Sequence, residues 1–209
     1  MHRTVLTVGM VLLVAACAAP MPPPAQTWPE GTTHGPWRSV FTGYGTTGRD
    51  ADGLLVVSPK PATGDDTHAA LITTTADYHD LDARVSLRTT AQLRRPRPHP
   101  WEVGWLLWHY TDSDHFYYVI LKPGGWEIGK EDPARPGHQK FLATGPGTYP
   151  LATWHDVRVR QAGDTFTVWA DGRKLATIAD RSDPYPHGAI GLYAEDATAQ
   201  FQAITINTR

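Results

Sequence analysis

Two glutamates four residues apart, Glu127 and Glu131, lie in a run with the alternation of a β-strand. On a strand, residues i and i+4 share a face with Cα atoms about 13 Å apart at ~3.3 Å per residue. Long side chains leaning inward could bring their carboxyls to the ~5–5.5 Å at which a retaining glycosidase works. The same spacing also suits a plain polar strand face. A second chemistry is elimination from a uronic acid, which needs a base and a positive group beside the sugar carboxylate. His109 or Tyr118 would be the base, and Arg84, Arg88, Lys122 and Lys130 the neutralising charges. A lone histidine in a sheet is as readily a hydrogen-bonded structural residue. A third chemistry is calcium binding. Asp50 with Asp52, and Asp112 with Asp114, gather the oxygens calcium takes, but neither run completes an EF-hand loop. Such turns also form without metal, because an aspartate caps its own turn. No His, Cys and carboxylate spacing fits zinc.

Residues 101–132 hold Trp101, Trp105, Trp108, Trp126, Tyr110, Phe116, Tyr117 and Tyr118. Three strand-like runs are separated by turns at Thr111–Asp114 and Pro123–Gly125, the pattern of a β-meander. So many large rings in so short a stretch point to an aromatic face open to a ligand. Flat rings offer the CH-rich faces of sugars an apolar surface at low entropic cost. With Trp105 and Leu107 turned inward, alternation places Leu106, Trp108 and Tyr110 on the open face. With Ile128 inward, Glu127 and Glu131 point outward. The expected groove therefore contains Trp108, Trp126, Tyr118, Arg84, Arg88, Lys122, Lys130 and Glu127.

The elements that must position these residues are strands throughout. Candidate strands are Arg38–Tyr44, Gly53–Ser58, Ala69–Thr75, Leu81–Thr90, Val103–Tyr110, Phe116–Lys122, Trp126–Glu131, Lys140–Ala143, His155–Gln161, Thr165–Ala170, Lys174–Ile178, Ala189–Ala194 and Gln200–Asn207. Leu81, Ala83, Val85 and Leu87 alternate with Asp82, Arg84, Ser86 and Arg88, which predicts a half-buried strand. Asp171-Gly172 between two such runs predicts a two-residue hairpin turn of type I′. No helical periodicity, internal repeat or second domain is visible. The fold class read from these runs is all-β, a sandwich or barrel over residues 37–209.

The closing segment is similar to the last strands of the concanavalin A-like lectin/glucanase superfamily. It runs from Trp154 through Val157-Arg158-Val159, Val168-Trp169-Ala170-Asp171-Gly172 and Gly188–Tyr193 to Phe201–Ile206. Residues 103–118 resemble the middle of that fold. Within the superfamily the chain resembles the 3-keto-disaccharide hydrolase domain and family 16-type glycoside hydrolases. The resemblance implies a jelly-roll of two antiparallel sheets with sugar on the concave face. It implies a Glu-x-Asp-x-Glu type catalytic motif, in which Gly129 here stands in place of the central Asp. It also implies a structural calcium, for which Glu195 and Asp196 are the expected ligands; no other cofactor is expected.

The chain opens with Arg3 and an apolar run over residues 5–16. That run is shorter than the ~20 residues needed to span a bilayer and fits a signal peptide over residues 1–16. Cys17, the chain's only cysteine, follows Val14-Ala15-Ala16, which resembles a bacterial lipobox. Cys17 is the expected lipidation site, and Pro-rich residues 17–36 are the expected tether. A single cysteine leaves no internal disulfide, so packing must hold the domain. With 19 Lys and Arg against 21 Asp and Glu and no basic run, nucleic-acid binding is not expected. The expected partners are a polysaccharide or oligosaccharide and the envelope membrane, for a monomer. The leading expectation is carbohydrate binding by a cell-envelope lipoprotein; the alternatives are a glycoside hydrolase or polysaccharide lyase. In a third, purely structural reading, the chain's own loops, such as Arg94–Pro100, fill the concave face.

Overall fold

The computed structural model describes residues 25–64 and 66–208; the expected leader, Cys17 and the first part of the tether lie outside them. The strands, in chain order, are β1 (Gln26–Thr27), β2 (Thr33–His34), β3 (Trp37–Phe41), β4 (Thr46–Arg49), β5 (Leu55–Ser58), β6 (Ala69–Thr74), β7 (Leu81–Gln92), β8 (Gly104–Asp112), β9 (His115–Lys122), β10 (Gly125–Glu131), β11 (Gln139–Pro146), β12 (His155–Ala162), β13 (Thr165–Ala170), β14 (Arg173–Ala179), β15 (Ala189–Glu195) and β16 (Ala197–Thr208). They form two eight-stranded sheets. The first is ordered β1-β4-β5-β16-β7-β12-β13-β14 and the second β11-β10-β9-β8-β15-β6-β3-β2. All pairings are antiparallel, as a jelly-roll sandwich requires, and no helix occurs among the described residues. The hairpin at Asp171-Gly172 has positive φ at both residues, as a type I′ turn needs.

The main core lies between the sheets. Leu81, Ala83, Val85 and Leu87 of β7 face Leu106 and Trp108 of β8, Tyr117 and Val119 of β9, and Ile128 of β10. Burying each large side chain stabilises the sandwich by about 1.5–3 kcal/mol. The second sheet is also apolar on its other face, where Leu71, Trp105, Leu107, Phe116, Tyr118 and Ile120 form a separate cluster. This front face, turned away from the first sheet, carries the candidate site.

Several expected placements change. Trp108 lies in the main core, donating from Nε1 to Gln161 Oε1 at 2.8 Å. Trp105 and Leu107 are the residues that face the front. The sequence could not fix this parity, because both faces of the second sheet are apolar and the strand alternation disappears. The β8–β9 register also shifts between Trp108 and Asp112. His109 there has φ 51°, and Tyr110 consequently joins Trp105 on the front face. Trp126 likewise packs in the main core. Arg84 and Arg88 belong to β7 and sit on the outside of the first sheet, across the sandwich from Glu127. Residues 26–34 of the expected tether form β1 and β2, and Trp28 is buried and stacked on His34 at 4.5 Å.

Candidate functional site

Glu127, Gly129 and Glu131 share the front face of β10 because alternate strand residues point the same way. Gly129 pairs across the ladder with Tyr118 of β9. The Tyr118 ring lies over Gly129 so closely that a Cβ there would stand 2.3 Å from the hydroxyl. That space lets the Tyr118 hydroxyl donate to Glu127 Oε1 at 3.0 Å, while Lys122 Nζ donates to Glu127 Oε2 at 2.8 Å. Gly129, where the family 16-type motif has its central Asp, is thus the seat of a tyrosine. Burial and the charge of Glu127 raise the Tyr118 hydroxyl far above its ordinary value, so it acts as a donor here rather than a base.

Glu131 differs from Glu127. Its carboxyl makes no hydrogen bond or ion pair among the described residues. Burial, together with the charges of Glu195 and Asp114, pushes it up to about 7. Glu195 of β15 is also raised, mainly by burial, although the Tyr193 hydroxyl donates to its Oε1 at 2.5 Å and partly offsets the shift. Glu127, Glu131 and Glu195 line one cleft of about 370 Å³. Trp105 forms part of its lining, held by its Nε1 donating to Trp101 O at 2.9 Å and packed on Tyr118 and Tyr193. Gln139 also lines it, and Trp101 and Phe141, 43% and 59% exposed, form its rim.

A buried ion cluster fixes this geometry. Arg94 pairs with Glu102 and, at 2.7 Å, with Asp196, and donates to Gly64 O and Asp66 O. It ties the Pro-rich loop ending at Trp101 to the turn that follows Glu195. None of residues 94–100 lines the cleft; Trp101, which follows them, does. Asp196, an expected calcium ligand, is committed to Arg94 and to the Ala62 amide. Asp50 Oδ1 accepts from the Asp52 and Leu54 amides, and Asp112 Oδ1 from the Asp114 amide and His115. Among the described residues no three His, Cys, Asp or Glu side chains group as a metal site, so the expected calcium donors do not converge.

Two other expected site residues lie apart. His109 is buried, with Nδ1 2.7 Å from Tyr185 O and Nε2 2.7 Å from His79 O, and burial lowers it. Lys130 faces the interior, where it pairs with Asp180 at 2.9 Å and donates to Ser182 O and Asp183 O. The structure thus brings together Glu127, Glu131, Tyr118, Lys122 and Glu195. Trp105, Tyr193, Gln139 and Phe141 were missed. The alternation of Tyr193 and Glu195 on one strand face was the available signal. A cavity of about 470 Å³ on the outside of the first sheet holds Arg84, Arg158 and Trp169. Arg158 there is forked onto Asp82 at 2.7 and 2.5 Å and lies under the Trp169 ring, so its charge is already satisfied.

Residues 25–207 match the sequence model of the 3-keto-alpha-glucoside-1,2-lyase-like domain. No curated protein sequence matches the chain. Among solved structures, carbohydrate-binding module CBM66 from Bacillus subtilis aligns with a TM-score of 0.64 at 17% identity, covering 83% of this chain and 96% of that one. A putative glycosyl hydrolase from Parabacteroides distasonis aligns at 0.55 and 14% identity, covering 86% and 91%. An alginate lyase, A1-II', aligns at 0.52 and 10% identity, covering 78% and 83%. At these identities the likeness is one of fold.

Proposed function

Because the chain belongs to the 3-keto-alpha-glucoside-1,2-lyase-like family, we propose that it binds a 3-keto-glucoside in the front cleft and eliminates across C1 and C2. The observation that carries this reading is the unpartnered Glu131 carboxyl, raised to about 7 beside Glu195. A ketone at C3 acidifies the hydrogen on C2. A carboxylate takes that proton, the C1=C2 bond forms, and the C1–O bond breaks with its electron pair going to the leaving oxygen. A carboxylic acid protonates that oxygen. Glu131, pushed up to about 7 by burial and by the charge of Glu195, carries a proton over part of the neutral range. The Tyr193 hydroxyl favours the ionised form of Glu195, which is the base. Glu131 is the acid. Glu127, held by Lys122 and Tyr118, receives sugar hydroxyls.

The test is release of the unsaturated ketone from a 3-keto-α-glucoside, followed by its ultraviolet absorbance. Turnover lost in Glu131→Gln with binding retained supports the reading. Saccharide binding by the wild-type protein without any product would favour a non-catalytic carbohydrate-binding role. The exposed rim rings Trp101 and Phe141 suit that second reading.

The envelope location is part of the same proposal and rests on Cys17 following its apolar run. Labelling of the expressed protein with a fatty acid, lost in Cys17→Ala, is the expected result. Labelling that survives the substitution would overturn it.

A further inference from the structure

A smaller chamber of about 100 Å³ adjoins the cleft, with Glu131 and Glu195 in the lining of both. Its walls are Phe41, Leu71, Leu107 and Phe116, with Tyr110 and Ser113 also contributing to the lining. Leu71 and Leu107 are fully buried, and Phe41 packs edge-on against Tyr193 at 6.4 Å. Trp105, Glu131 and Glu195 belong to both chambers. The two spaces differ in chemistry. The main one has Glu127 and Gln139 for sugar hydroxyls, whereas the smaller one is mostly rings and aliphatic carbons, with hydroxyls from Tyr110, Ser113 and Tyr193, the last already donated to Glu195.

We propose that the smaller chamber is the leaving-group subsite and that the group it takes is apolar, a phenyl ring or a short branched alkyl, rather than a second sugar. This rests on the elimination reading above and adds the class of aglycone. The general acid stands beside the bond that breaks, with the sugar on one side and the leaving group on the other. Glu131 stands between a polar and an apolar chamber, so the apolar one receives the departing alcohol. A second hexose there would set several hydroxyls against Leu71, Leu107 and Phe116, more than the Tyr110 and Ser113 hydroxyls could partner, and a buried polar group without a hydrogen bond is disfavoured. At about 100 Å³ the chamber is smaller than the ~150 Å³ cavity that takes benzene, so it holds at most part of a phenyl ring and has less room still for a hexose. The same apolar walls contribute to the burial that raises Glu131. The leaving group and the acid's protonation are therefore served by one feature.

Two measurements on the full chain test this. In the first, phenol is titrated into the protein and the ring resonances of Phe116 and Tyr193 are followed by NMR. Saturable shifts confined to the chamber are expected; their absence overturns the proposal. In the second, kcat/KM is compared between phenyl 3-keto-α-glucoside and the 3-keto derivative of an α-linked glucose disaccharide. The phenyl substrate is expected to be favoured by about tenfold or more, the usual discrimination of an apolar pocket. In Leu107→Phe, which fills the chamber, that ratio should collapse; because it is taken within one variant, lost folding cancels. A ratio near one, or a ratio that Leu107→Phe leaves unchanged, overturns the proposal. Phenol binding with no turnover of either substrate would instead overturn the elimination reading and leave the chamber standing as an apolar-ring site.

Discussion

Two faces of this sandwich carry tryptophans beside charges, and they use them differently. Outside the first sheet, Arg158 is forked onto Asp82 beneath Trp169, and Arg88 lies 4.6 Å from Trp154 while donating to Gln200. Opposite charges and cation–π contacts there satisfy one another. On the front of the second sheet Glu127 has such a partner in Lys122, whereas among the described residues Glu131 and Glu195 have none. Glu131 and Glu195 are like charges over an apolar floor, and their proton affinity rises in consequence. Aromatic and charged content is thus shared by both faces, and what distinguishes the front is a pair of carboxyls with no positive partner among the described residues, Glu195 having only the Tyr193 hydroxyl.

The sharpest way to break this contrast is Glu131→Gln, which keeps the shape and removes the proton. Turnover of a 3-keto-α-glucoside should fall about 10²–10⁴-fold, the usual contribution of a general acid, with KM little changed. Arg94→Met comes next. It strands Glu102 and Asp196 as buried charges and should cost about 3–5 kcal/mol, read from the shift of the urea midpoint. Trp101→Ala removes a rim ring and should weaken saccharide affinity several-fold, by about 1 kcal/mol, in calorimetry. Smallest is Arg84→Ala on the outer face, where saccharide affinity should stay within about 0.5 kcal/mol of wild type. A large loss there would mean that the outer face binds ligand too.

The legibility of the fold followed from where alternation survives. β7 and β12 are buried on one face only, so their pattern placed them correctly. The β13–β14 turn was fixed by Asp171-Gly172. β1, β2 and β4 escaped because they are two to four residues long and lack an apolar repeat; what anchors the first of them is the single buried Trp28. In the second sheet both faces are covered, and a register shift at His109 moves Tyr110 across. Trp108 and Trp105 therefore exchanged their expected roles. On β10 the parity was readable from Ile128, so Glu127 and Glu131 were found together. Glu195 was noticed only as an oxygen donor, because its closeness to Glu131 depends on β15 lying beside β8, a pairing between residues far apart in the chain.

The central claim concerns the proton on Glu131, and it also sets a pH dependence. A carboxyl raised on folding stabilises the fold at acid pH, fully below its unfolded value. That contribution is lost as pH rises through about 7. The most direct measurement is a carbon-13 NMR titration of the Glu131 carboxyl, assigned by comparison with Glu131→Gln and repeated in Glu195→Gln. The account predicts a midpoint near 7 that moves toward the ordinary glutamate range once Glu195 is neutral. A wild-type midpoint already in that range would contradict it.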